Sequence, residues 1–411
     1  MKAFTRLLIA AVGAAAFASC TANGNLIYLN IQKTAKTNTS SNIPLNITIA
    51  DMVNVCNNLT NSGYSANLSA PYYAAAGKIY NGTVSNGSTN WSAISTPNNM
   101  VCNTLTYDGK NNQLWAGFYS PDGSTFGLYW STPGSNTWNL VTDTLHPNTQ
   151  ITYLGVPSTA SGSGNLGDLF VVVEWMVSGS PVYELDTAQT VGGGPPTTWY
   201  NTGLTSSTTP ITGVGFVSTT GTYYAASGST LYSSPAGGWP IALAFAAVPS
   251  FPSGPSDLLQ GVFVDANYSA GVLIAVPSSN QTTQTTGVGG IFYSVNGGAW
   301  GEAQSNAGTS FNAGFLCVAG PVDSGHTAYL AGADSGYGGS FGFFYYVPPN
   351  TLTRFEGISY SLYASAVRRI IVDITSNIIA MGTINNGLWV TTGGTGSSWS
   401  GNIDGNTWTQ E

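Results

Sequence analysis

The sequence predicts an all-β fold: a single seven-bladed β-propeller of four-stranded antiparallel blades over residues 44–411. Three observations predict it. Short motifs recur along the chain. Apolar segments open at intervals of 48 to 60 residues, near Met52, Met100, Ile151, Ile211, Leu259, Asn312 and Ala366. Between them lie β-branched and aromatic runs bounded by Gly, Asn, Ser and Pro, with no amphipathic helix pattern of useful length. Repeats near 50 residues, each holding four short strands, point to a propeller. One such sheet has two apolar faces that only radial stacking with neighbours buries.

The elements follow in chain order. Lys2 and Arg6 precede an apolar run from Leu7 to Ala18, the pattern of a secretory signal over residues 1–19. Residues 20–43 read as a polar tether, with Leu26 to Ile31 as a strand that pairs with the last blade and helps close the ring. Within the repeats, Cys56-Asn57-Asn58-Leu59-Thr60 parallels Cys102-Asn103-Thr104-Leu105-Thr106. Tyr72-Tyr73-Ala74-Ala75 recurs as Tyr223-Tyr224-Ala225-Ala226. Each unit closes on an aromatic: Trp91, Trp138, Trp199, Trp239, Trp300, Phe355 and Trp408.

Composition narrows the function. Only 6% of the 411 residues are charged, with 9 basic against 17 acidic and a net charge of -8. Nine basic residues make no patch for phosphates, which excludes nucleic-acid binding of the usual kind. Low charge with abundant Ser, Thr, Asn and Gly suits hydrogen-bonded recognition of neutral ligands better than steering of charged ones.

Candidate chemistry is sparse. Asp265 and Asp373 hold equivalent places in the first strands of blades five and seven, where two carboxylates across a channel are the minimum for glycoside hydrolysis. Glu174 stands between Val173 and Trp175 on an apolar strand. Trp115, Trp130, Trp175 and Trp389 lie mid-strand, where they either pack in the core or stack on sugars, and Arg369 joins them as a binding candidate. His146 and His326 are far apart and no Cys-x-x-Cys pair exists, so the sequence predicts no metal and no cofactor.

Two stretches resemble known families. Phe17-Ala18-Ser19-Cys20 resembles the bacterial lipobox, which implies a lipid on Cys20 and, with Thr21 following, the outer membrane. Ser294-Val295-Asn296-Gly297-Gly298-Ala299-Trp300 resembles the Asp-box turn of sialidase-type propellers, with Asn for Asp. Asp404 to Trp408 and Ser131 to Trp138 are further degenerate copies. In that family the box is a structural hairpin away from any active site. Sialidase activity itself needs three converging arginines. Beyond the signal only Arg354, Arg368 and Arg369 occur, and adjacent strand residues point to opposite faces.

The sequence therefore favours a binding protein over an enzyme. It reads as an exported cell-envelope or scaffold protein, anchored in the membrane through lipid alone, that meets carbohydrate or protein through propeller loops. The alternatives are a glycoside hydrolase with carboxylates near the channel and a structural surface-coat protein.

Overall fold

A computed structural model describes residues 43–55, 72–85, 88–142, 146–157, 168–190, 194–238, 243–249, 251, 258–264, 272–278, 290–295, 298–305, 315–322, 327–333, 342–347, 351–354, 365–373, 378–392 and 408–411. The first sheet is β1 (Asp51–Asn54), β2 (Tyr72–Ala76), β3 (Lys78–Ser85) and β4 (Ser88–Ile94). The second is β5 (Val101–Asp108), β6 (Gln113–Tyr119), β7 (Phe126–Ser131) and β8 (Asn139–Leu140). The third is β9 (Gln150–Gly155), β10 (Asp168–Val177), β11 (Ser180–Gln189) and β12 (Trp199–Ser206). The fourth is β13 (Ile211–Val217), β14 (Thr222–Ser227), β15 (Thr230–Pro235) and β16 (Ala246–Ala247). The fifth is β17 (Leu258–Val264), β18 (Val272–Ser278), β19 (Phe292–Val295) and β20 (Gly301–Glu302). Next come β21 (Gln304–Ser305), β22 (Phe315–Ala319), β23 (Tyr329–Ala333), β24 (Phe343–Val347) and β25 (Thr351–Arg354). The chain ends in β26 (Val367–Asp373), β27 (Ile378–Thr383), β28 (Leu388–Thr392) and β29 (Trp408–Gln410).

The chain is all-β, and its blades form a propeller. The expectation of seven four-stranded antiparallel blades is corrected to six. The remaining sheet has five strands in the order β21-β25-β24-β23-β22, and its edge pair β21–β25 is parallel. The cause is local. One residue after β20, the chain leaves the fifth sheet and lays Gln304–Ser305 along the next sheet's outer strand, covering an edge that would otherwise be open.

The first strands pack side by side around the ring: β1 on β5, then β9, β13, β17, β22 and β26, and β26 back on β1. A separate apolar cluster fills each gap between adjacent sheets. Between first and last sheets it holds Ile49, Met52, Tyr72, Ile371, Ile378 and Val390. Closure is reinforced by the chain leading into β1. Ile49 N–H donates to Thr383 O at 3.0 Å, Gly387 N–H to Ile47 O at 2.9 Å, and Gln410 Nε2 to Leu45 O at 3.0 Å. The strand expected at Leu26 to Ile31 lies outside the described residues.

The repeated Tyr-Tyr-Ala-Ala lies in the second strand of its sheet in both copies, opening β2 and following Thr222 in β14, and the first Tyr fastens the preceding sheet. Tyr72 donates its hydroxyl to Asp373 Oδ2 at 2.6 Å across the closure, and Tyr223 donates to Asp168 Oδ2 across the third-to-fourth interface. The two Ala residues keep the strand thin where sheets meet. Turns ahead of closing tryptophans share one device: Ser131 Oγ donates to Thr137 O at 2.8 Å and Ser294 Oγ to Gly298 O at 2.9 Å.

Close approach between sheets makes some glycines obligatory. A Cβ on Gly332 would lie 2.4 Å from Val367 O and 2.8 Å from Cys317 Sγ. A backbone oxygen cannot step aside as a flexible side chain can, so Gly332→Ala is expected to cost about 3 kcal/mol. Gly237→Ala meets nothing within 4 Å, and its stability should stay within roughly 0.5 kcal/mol of the parent. Urea melts of the two variants check this pair.

Candidate functional site

The first strands surround a cavity of about 280 Å³ on the ring axis. Its walls mix polar and apolar surface about equally, with Met52, Leu105, Leu154, Val262, Phe263 and Leu316 on the apolar side. Several of the polar groups are already committed. Asp51 Oδ1 accepts from Arg369 Nε at 2.8 Å and from Met52 N at 3.0 Å. Its Oδ2 accepts from Leu105 N at 3.0 Å and Thr104 Oγ1 at 3.1 Å. One carboxylate thus joins the first, second and last sheets. Tyr153 reaches across from the third sheet, its hydroxyl accepting from Val214 N at 3.0 Å. The Cys317 thiol, pushed up to about 12 chiefly by burial, is an inert group. Cys102, likewise pushed upward by burial, and Cys317 are both free. Among the described residues Asp51 is the one acid lining the cavity.

The predicted residues fall in different places. Asp373 ends β26 at 1% exposure, accepts from Tyr72, and is not among the cavity-lining residues. Asp265, its proposed partner, and Cys20 lie outside the described residues. Arg369 does face the cavity while Arg368 is exposed, as alternation along a strand requires. Trp115 and Trp389 are fully buried, and Trp389 donates Nε1–H to Asn386 O at 3.0 Å. Trp130 and Trp175 are only partly buried, and both flank the cluster between second and third sheets. Glu174 sits beside Trp175 near the tip of the β10–β11 hairpin, its carboxyl raised by burial. Beyond it Met176 is 63% exposed.

That hairpin carries a second group of polar side chains. Cross-strand pairing sets Glu184 opposite Val173 and Asp186 opposite Val171, so both acids share the face that carries Trp175 and turns toward the second sheet. From the chain between β8 and β9, His146 stacks its ring on Trp175, with centroids 4.5 Å apart and planes at 14°. Its Nε2 stands 2.7 Å from Glu184 Oε1. Burial, then the charge and hydrogen bond of Glu184, push the Asp186 carboxyl well above the ordinary range. The sequence gives His146 no ligand-spaced neighbour. The usable signal was the pair Glu184-x-Asp186, two acids on one face of a strand.

Solved structures add a measure of likeness. The extracellular domain of BT4673 from B. thetaiotaomicron matches with TM-score 0.51 and 14% identity, over 78% of this chain and 36% of that one. The Niastella koreensis GH74 enzyme matches at 0.56 and 17%, over 88% and 53%. The GH74 xyloglucanase from Xanthomonas campestris matches at 0.57 and 12%, over 85% and 52%. The likeness is one of fold alone. The chain spans from about a third to about half the length of these proteins. No family model and no curated protein matches the sequence.

Proposed function

We propose that the chain is an exported cell-envelope protein that binds carbohydrate or protein at the rim of its propeller and does not hydrolyse what it binds. One observation carries the reading. Of four candidate tryptophans, the two that keep exposed surface flank the same inter-sheet cluster, while the one described acid in the axial cavity is held by Arg369. Glycoside hydrolysis needs a second carboxyl roughly 5 to 9.5 Å away. An indole offers a flat apolar face with a polar edge, which suits stacking on a sugar ring or a partner side chain. The lipobox-like leader supports export with a lipid on Cys20. The propeller neighbours, an extracellular domain and two GH74 proteins, fit a surface role connected with carbohydrate.

The test is a screen of the chain against glycans and polysaccharides, scored for binding and for released reducing ends. Binding without release is expected. Trp175→Ala should then weaken affinity by about 2 kcal/mol, roughly 30-fold, as for a buried aromatic anchor. Release of reducing ends would overturn the reading in favour of a hydrolase, with Asp265 and Asp373 the first carboxylates to replace.

A further inference from the structure

We propose that His146, Glu184 and Asp186 form a divalent-cation site, with Zn²⁺ the best match to the ligand types. One ligand atom from each residue lies within 4.8 Å of those of the other two. Imidazole nitrogen with carboxylate oxygens is a zinc donor set, at bond lengths of about 2.0–2.2 Å. Around such an ion the 2.7 Å contact between His146 and Glu184 would open by a few tenths of an ångström. Ligand atoms as far apart as 4.8 Å would close toward about 3.4 Å, the spacing of tetrahedral ligands, around parts that are otherwise already held. Stacking on Trp175 fixes the plane of the imidazole, and Thr149 Oγ1 donates to His146 O at 2.7 Å, which pins the backbone.

Two independent observations point to a missing positive charge. Glu184 is 7% exposed and Asp186 2%, both on the face packed against the second sheet. Among the described residues no Lys or Arg pairs with either; the ion pairs there are His146–Glu184 and Asp51–Arg369. Two carboxylates taken out of water need compensation of about this size. The second observation is that Asp186 Oδ1 is buried with no hydrogen-bond partner. A buried carboxylate oxygen with no donor is costly alone and is a ready ligand for a cation. Three protein ligands leave at least one position for water or for a group on a bound partner, next to the half-exposed Trp175. The inference does not depend on the binding reading above, since cation uptake is measurable with no partner present.

The experiment uses the full-length chain, freed of metal with a chelator and titrated with Zn²⁺ against a chromophoric competitor. Mn²⁺ and Ca²⁺ are titrated in parallel, and Co²⁺ serves as a visible-absorption probe of an imidazole-bound site. One equivalent of Zn²⁺ should bind, and His146→Ala and Asp186→Asn should each weaken it at least tenfold. Circular dichroism shows whether each variant keeps its sheet content, and His146→Gln replaces any that does not. Failure of all four metals to bind overturns the proposal. So does a loss below tenfold in either folded variant. If Asp186→Asn melts higher with Zn²⁺ uptake intact, the acids are a proton-sharing pair and the proposal also falls.

Discussion

Replacing Asp168 with Asn is expected to remove a fall in stability that the native chain shows as pH rises from about 4 to 7. Asp168 opens β10 at 2% exposure, and its carboxyl is pushed up to about 7. Desolvation is the largest cause and Asp108 adds to it, while the Tyr223 hydroxyl and Lys110 act the other way. The unfolded chain loses this proton near 3.9. Between those values the native state holds a proton that the unfolded state has released, so stability declines as pH rises through the window. The contribution is fully present below about pH 4 and gone above about pH 7. Three pH units correspond to on the order of 4 kcal/mol. Asn is neutral throughout and nearly isosteric, so the variant should gain on the native chain steadily across the window and be the more stable at pH 8. Tyr223→Phe removes a donor that favours the carboxylate and should extend the decline to higher pH at the same slope, since one group releases one proton. Urea midpoints at several pH values for the three proteins measure this. Curves for the native chain and Asp168→Asn that run parallel would show that Asp168 ionises in the fold as it does in water.

The propeller was legible because its signal is repeated. Trp91, Trp199 and Trp408 lie in the fourth strands of their sheets, and Trp138 and Trp300 immediately precede theirs. The opening residues Met52, Ile151, Ile211 and Leu259 all fall in first strands. The five-stranded sheet was not legible, because Gln304–Ser305 is two residues long and its partner, β25, lies more than forty residues further on. A strand that short carries no alternation to read. The polar contacts were hidden by separation. Asp51 and Arg369 are 318 positions apart and Tyr72 and Asp373 are 301 apart. Sequence marked Tyr72, Arg369 and Asp373 as unusual, each for a different reason, and only ring closure brings the ends of the chain together. Asp373, which accepts from Tyr72, shows that such a mark fits more than one role. A carboxylate on a first strand can serve a tyrosine between sheets as readily as a substrate on the axis.

Asp51→Ala is expected to be the most damaging single change near the ring closure, and more damaging than Arg369→Met. The two partners hold unequal numbers of contacts. Asp51 accepts four hydrogen bonds, from Met52, Leu105, Thr104 and Arg369, and so ties three sheets. Removing it leaves two backbone N–H groups, a hydroxyl and a guanidinium without that acceptor. Breaking a buried pair in this way costs about 3–5 kcal/mol. Arg369→Met leaves the carboxylate with its three other donors, and the arginine side chain is 29% exposed, so its loss should cost about half as much. Among the described residues the closure is non-covalent, resting on this pair, on Tyr72–Asp373 and on the apolar cluster around Ile49 and Ile378. Damage should therefore spread from the junction of the first and last sheets. Hydrogen exchange should quicken first at amides of β1 and β26, before those of β13 in the fourth sheet. The double variant Asp51→Ala, Arg369→Met should cost less than the sum of the single changes by about 1–3 kcal/mol, the coupling typical of contacting charged residues. Strict additivity in urea would mean that the pair adds nothing beyond its separate contacts. Closure would then rest on packing and on Tyr72, and Tyr72→Phe would become the more damaging change.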